Sequence, residues 1–235
     1  MGKKSIFFDL DDTLYDRSVP YYRAFEAFFG GRHAEKAEAA FLAVAQRGYE
    51  VFVAAHTGKI TMDEMYIYRH QTGLRDVGIG ISVEEALEMQ SLYEEAQRHI
   101  SLTPVMEEIL TFCRERFAAV GVITNGGVAS QRGKLDSLGA ERWIRPDLVF
   151  ISDAVGIMKP DPAIFRLAQQ AAGARAEDCV YVGDSISQDV TPSLRCGWHS
   201  IWLNRRGAAR GEAETETVVS TESELLRCLR GTEGE

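Results

Sequence analysis

Three apolar runs, each running straight into a short polar segment, constrain this chain more than any other feature. Ile6-Phe7-Phe8 leads into Asp9-Leu10-Asp11-Asp12-Thr13, Ala118 to Ile123 into Thr124-Asn125-Gly126-Gly127, and Cys179 to Gly183 into Asp184-Ser185-Ile186-Ser187-Gln188-Asp189. The runs read as buried strands of an open α/β sheet. Such sheets carry their active sites beyond the carboxyl ends of the strands. The polar segments therefore fall where a sheet of this kind does chemistry.

Side chains alternate along a strand, so Asp9 and Asp11 can face one cavity as the chain leaves the sheet. Two carboxylates there repel, and either one holds a proton, as a general acid does, or a bound cation keeps both ionised. An isolated Asp-x-Asp is equally at home in a polar turn. The other segments decide. Thr124 offers a hydroxyl, and Gly126 and Gly127 let backbone amides approach a ligand. Gly156 to Pro162 sets Lys159 just ahead of a helix start marked by Asp161 as cap and Pro162 as first residue. Asp184 and Asp189 add two carboxylates after the third run.

With these segments in place, the sequence resembles the haloacid dehalogenase-like hydrolase superfamily. Its four motifs match Asp9-x-Asp11-x-Thr13, Thr124-Asn125, Lys159 and Gly183-Asp184-x-x-x-x-Asp189, in order, over nearly the whole chain. The resemblance implies a phosphatase in which Asp9 attacks phosphorus to form an aspartyl-phosphate. Asp11 then protonates the leaving alkoxide and later activates water. It implies Mg²⁺ held by the Asp9 carboxylate, the Asp11 backbone carbonyl and Asp184, with Asp189 steadying that shell or orienting Lys159. Thr124, Lys159 and backbone amides near Asn125 would bind the phosphoryl oxygens. Thr13 is expected to support the loop through a local backbone tie, and Asp12 and Asp16 to satisfy turn and cap amides. The dehalogenases of the superfamily lack an acid at the position of Asp11, because a halide leaves without a proton. Phosphate-ester chemistry is favoured on that ground.

After Tyr15 the pattern turns helical. Tyr21, Tyr22, Phe25, Phe28 and Phe29 recur at helical spacing until Gly30-Gly31, and helical patterning resumes from Ala34. Thr61-x-x-Glu64 and Ser82-x-x-Glu85 are capping boxes, and Thr103-Pro104 returns the chain to the sheet. The expected architecture is α/β: a Rossmann-like parallel-sheet core over 1–15 and 101–235 with an all-helical cap domain inserted at 16–100. The layout resembles the helical-cap subgroup, whose bundle closes over the active site and contacts the leaving group. Specificity residues are then expected in the insert: Arg17 near the hinge, and His56 and Lys59 in the loop between two helices. The bland reading of His56 and Lys59 is a solvated loop, and that of the aromatic stripe is bundle core. Beyond Asn204, residues 205–217 read as a charged surface loop, followed by a short strand at Thr217-Val218-Val219 and a helix capped by Thr221-x-x-Glu224.

With 235 residues and 45% hydrophobic content, the chain can bury one substantial core and a smaller one. A net charge of −9 without a basic stripe argues against a nucleic-acid polymer as partner. It allows a small phosphate ester, since a metal and Lys159 can reverse the local field. Cys113, Cys179, Cys196 and Cys228 form no Cys-x-x-Cys and read as reduced thiols. No run approaches about 18 apolar residues, and Met1 to Lys4 opens no signal-type segment, so the cytoplasm is the expected compartment. The substrate class implied is a nucleoside monophosphate or a sugar or organic-acid phosphate. A sugar phosphomutase using the same aspartyl-phosphate is the second enzyme reading, and a phospho-accepting signalling protein the reading from another class.

Overall fold

The computed structural model describes residues 3–209 and 217–231. The opening Met1-Gly2, most of the second half of the expected surface loop and the last four residues lie outside it. The described chain divides into two compact units, Met1–Asp16 with Ser101–Glu235, and Arg17–Ile100.

The first unit is built on a parallel sheet of β1 (Ser5–Phe8), β2 (Ala119–Thr124), β3 (Val149–Ile151), β4 (Cys179–Gly183), β5 (His199–Leu203) and β6 (Thr217–Val219), in the order β3-β2-β1-β4-β5-β6. β1, β2 and β4 are the three apolar runs of the sequence, and every residue in them is buried. β3 and β5 went unread, the first because three residues carry no period, the second because it opens on His199-Ser200. Chain order reverses at β1, which pairs with β2 on one side and β4 on the other. That is the switch point at which doubly wound sheets open a crevice. One core cluster includes Phe7, Phe165, Tyr181 and Trp198, with ring centroids 5.1 Å apart for Phe165 and Tyr181 and 5.3 Å for Phe7 and Trp198. Each such ring contributes about 1.5–3 kcal/mol on burial.

The second unit is helical: α1 (Ser18–Phe29), α2 (Ala37–His56), α3 (Met62–Asp76) and α4 (Val83–Gln97). α1 ends at Gly30, and both capping boxes form reciprocally, Thr61 with Glu64 and Ser82 with Glu85. Tyr21, Phe25 and Phe29 are buried against Phe41, Leu74 and Met89, so the aromatic stripe is bundle core. Gly73 makes the α2–α3 approach possible. A Cβ there would lie 2.6 Å from the Val44 backbone.

The remaining helices belong to the first unit: α5 (Pro104–Arg116), α6 (Val128–Ser137), α7 (Ser152–Val155), α8 (Pro162–Ala171), α9 (Thr191–Arg195) and α10 (Glu222–Gly231). Asp161 caps α8 by accepting from the Ala163 amide, and Pro162 is its first residue. Thr221 accepts from Glu224 N–H ahead of α10, while the Glu224 carboxylate reaches back to Ser220 N–H. Among the described residues, no helix is long and apolar enough to cross a membrane. All four cysteines are free; Cys113 and Cys179 are buried, and burial pushes both thiols up to about 12.

Candidate active site

Register brings the polar segments together. Phe8 lies beside Val122 and Val182, so the three strands release their next residues at one edge. Asp9 takes one further ladder bond, its amide donating to the Val182 carbonyl at 2.9 Å. Asp9, Thr124, Lys159 and Asp189 are all buried there.

Lys159 is the hub. Its Nζ donates to Asp9 Oδ1 and Asp189 Oδ1, both at 2.6 Å, and to the Tyr181 hydroxyl at 3.0 Å, so three protons meet three acceptors. Burial works against the charge of Lys159, but Asp189 and Asp9 outweigh it and hold the ammonium well above its ordinary range. Tyr181 in turn donates to the Ile123 carbonyl at 2.9 Å. The Asn125 side chain clasps Lys159 by its backbone, accepting from its N–H and donating to its C=O, each at 2.8 Å. Asp189 lies in the π-helical turn Ile186–Val190. Its Oδ2 accepts from the Ser185 amide at 3.0 Å, so both of its oxygens are engaged. Gly183 lets that carboxylate in, since a Cβ there would sit 2.5 Å from Asp189 Cβ.

Asp9, Asp184 and Asp189 place one carboxylate oxygen each within 4.8 Å of one another. Three carboxyl groups face one Lys159 ammonium, so the cluster carries surplus negative charge. Burial first, then Asp189 and Asp11, push the Asp9 carboxyl up to about 7 against the pull of Lys159. Oxygen-only donors with surplus negative charge fit a hard divalent cation. Because Asp189 already serves Lys159 and Ser185, Asp9 and Asp184 are the better direct donors.

Asp11 has a different environment. Lys134 Nζ lies 2.8 Å from its Oδ1 and 3.0 Å from its Oδ2. Gln131 Nε2 donates to Asp11 Oδ2 at 3.0 Å and to Thr124 Oγ1 at 2.6 Å. The Tyr15 hydroxyl also donates to Asp11. Gln131, Lys134 and Tyr15 were not read from the sequence. Their one available signal was a lysine and a glutamine three apart on α6, directly after Thr124-Asn125, sharing the buried face with Leu135.

A family model for haloacid dehalogenase-like hydrolases matches residues 3–197. The chain belongs to this hydrolase family. It is 36% identical to a phosphoserine phosphatase of Thermus thermophilus over 126 residues, 54% of this chain and 50% of that protein. It is 36% identical to the pyrimidine 5′-nucleotidase YjjG of Escherichia coli over 47% of this chain and 50% of that protein, so both matches span about half of each relative. A glyceraldehyde 3-phosphate phosphatase of Methanopyrus kandleri is 27% identical over 86% of this chain and 84% of its own length. In fold, the chain resembles the HAD-hydrolase YfnB of Bacillus subtilis, with a TM-score of 0.74, 20% identity and coverage of 97% of this chain and 99% of that one.

Other residues of this haloacid dehalogenase-like hydrolase depart from expectation. Among the described residues the buried Thr13 hydroxyl has no hydrogen-bond partner, so it makes no local backbone tie there; the Thr13 carbonyl is held instead, by Arg205 at 2.8 Å. Arg205 also donates to the Asp12 carbonyl at 3.0 Å, and Arg206 reaches Asp12 at 2.7 Å and Asp16 at 2.5 Å. The segment after Asn204, read as a charged surface loop, thus braces the loop after β1, where Asp12 holds a left-handed φ of 60°. A guanidinium fork suits this because it can serve two carbonyls and a carboxylate at once. The Gly126 amide, expected near the phosphate, donates to Ser152 Oγ at 2.9 Å. In the helical unit, Arg17 stands half-buried at the start of α1. His56 stacks on Phe52 at 3.9 Å with its Nδ1 3.1 Å from the Phe52 carbonyl. Lys59 is exposed, its amide donating to Ala54 O at 2.8 Å. His56 is the last residue of α2, and Lys59 lies in the loop that follows it.

Proposed function

We propose that the chain hydrolyses a small phosphate monoester through an aspartyl-phosphate on Asp9, with Asp11 as general acid and base. The observation that carries this is the contrast between the two carboxylates. Asp9 is buried and shares Lys159 with Asp189, whereas Asp11 is partly open and bound by Lys134, Gln131 and Tyr15. Carboxylates in unlike environments suit unlike roles. Asp9 would attack phosphorus as the ester bond breaks, and Asp11 would give its proton to the leaving oxygen. Water would then lose a proton to Asp11 as it attacks the aspartyl-phosphate and frees Asp9. Thr124 and Lys159 would bind phosphoryl oxygens, Lys159 by turning a proton from one of its present acceptors, and Asn125 would hold Lys159 in place for this.

Mg²⁺ would be held by the Asp9 carboxylate, the Asp11 carbonyl and Asp184, and when bound would neutralise charge on the phosphoryl oxygens. The named activities of the three relatives support a phosphatase and span an amino-acid, a nucleotide and a sugar phosphate. Sites that touch only the phosphate leave the rest of the substrate to other residues, so the proposed class is a small phosphorylated metabolite. Four free thiols support a reducing compartment such as the cytoplasm.

The test is phosphate release from nucleoside monophosphates, sugar phosphates, phosphoglycolate and an aryl phosphate, with Mg²⁺ and with chelator. Magnesium-dependent release supports the reading. Silence across the panel overturns it and moves weight to the mutase or the phospho-accepting protein.

A further inference from the structure

α6 buries two polar side chains that the proposed reaction has not used. Lys134 is 8% exposed and Gln131 2%. A buried ammonium is costly unless it is paired and hydrogen-bonded, and here its bonds go to Asp11 and to Gln131 Oε1, the last at 2.8 Å. By occupying Oε1, Lys134 fixes which way the Gln131 amide faces. Nε2 must then point the other way, and it does, donating to Asp11 Oδ2 and to Thr124 Oγ1. Tyr15 contacts Asp11 Oδ1 from within the loop. Both oxygens of a carboxyl that is otherwise part-open are thus held by donors from a helix more than 110 residues away in sequence. A bare Asp on a loop would sample several rotamers, and a proton transfer requires one.

We infer that Lys134 and Gln131 are positioning residues that set the Asp11 carboxyl toward the leaving oxygen of the ester, with Gln131 tying that carboxyl to the phosphate-binding Thr124. The inference rests on the phosphatase reading. It assigns them no contact with substrate. Asp11 gives its proton to the leaving oxygen as the phosphorus–oxygen bond breaks, and recovers one from water in the second half; Lys134 and Gln131 exchange none.

A purely structural role and a positioning role differ in leaving-group dependence. kcat/KM reports the steps through formation of the aspartyl-phosphate. An alkyl phosphate needs a proton in that half-reaction, whereas p-nitrophenyl phosphate expels a stable phenolate without one. Lys134→Met should therefore lower kcat/KM for glycerol phosphate about 10²-fold while that for p-nitrophenyl phosphate stays within about fivefold. In an Asp11→Asn background, Lys134→Met should change the ratio no further, because the group it positions is gone. Gln131→Met, which keeps the lysine–carboxylate pair, should shift the ratio in the same direction, and it carries the test alone if Lys134→Met fails to fold. Equal losses on both esters in a folded variant, or losses that multiply with Asp11→Asn, overturn the positioning role and leave the phosphatase standing. Wild-type silence on both esters overturns the phosphatase reading and the inference with it.

Discussion

Lys159 sits between Asp9 and Asp189 with all three protons engaged, so each neighbour fixes the others. Asp9→Asn should abolish turnover while leaving the fold intact, as circular dichroism and phosphate release would show together; residual activity near wild type would sink the mechanism. Asp189→Ala removes one partner of a buried ion and should cost about 3–5 kcal/mol in urea unfolding as well as activity. Gly183→Ala acts on the same contact from behind. Its Cβ would require Asp189 to move, so phosphate release should fall at least tenfold with a smaller effect on stability. A full wild-type rate in Gly183→Ala would show that the position of Asp189 is not critical.

At the scale of elements, the helical unit carries two sensitive points. Gly73→Ala sets a methyl against the Val44 backbone and should destabilise the α2–α3 pair by about 1–3 kcal/mol, measured by thermal unfolding. His70 is fully buried with Nε2 3.0 Å from Gln90 Oε1, and burial lowers its pKa to about 3. An unfolded histidine titrates near 6.5 and so binds a proton that the folded one refuses. Its contribution is therefore complete above pH 6.5 and is lost as pH falls from 6.5 toward 3, by about 1.4 kcal/mol for each unit in that window. His70→Gln should flatten the stability profile between pH 6.5 and 5; an unchanged slope would show that His70 is not its source. Elements were legible where local chemistry marks them, as at Thr61, Ser82, Thr103 and Asp161, whose side chains all cap. They were illegible where three residues had to suffice, as in β3.

For the whole molecule, the site is a meeting of four segments. Those that end strands could be found by reading along the chain. Lys134, Gln131, Arg205 and Arg206 could not, because nothing local distinguishes them from surface residues; only the crossovers that set α6 and the segment after β5 beside β1 give them partners. The excess negative charge at Asp9, Asp184 and Asp189 also belongs to the assembled site. Mg²⁺ should therefore raise the unfolding temperature of the full chain, by mass action on the folded state, and Asp184→Asn should remove most of that rise. No shift with millimolar Mg²⁺ would overturn the proposed ligand set.

The position of β1 has a consequence for synthesis. It is one of the two central strands, yet the ribosome makes it about 110 residues before β2 and about 170 before β4. At roughly 5–20 residues per second, Ile6-Phe7-Phe8 waits on the order of 10–35 s for its second neighbour. During that interval Ile6-Phe7-Phe8 lacks its β4 neighbour in the nascent chain, while the helical segment that follows it already has all of its own core residues. The nascent chain should therefore recruit holding chaperones until β4 has emerged.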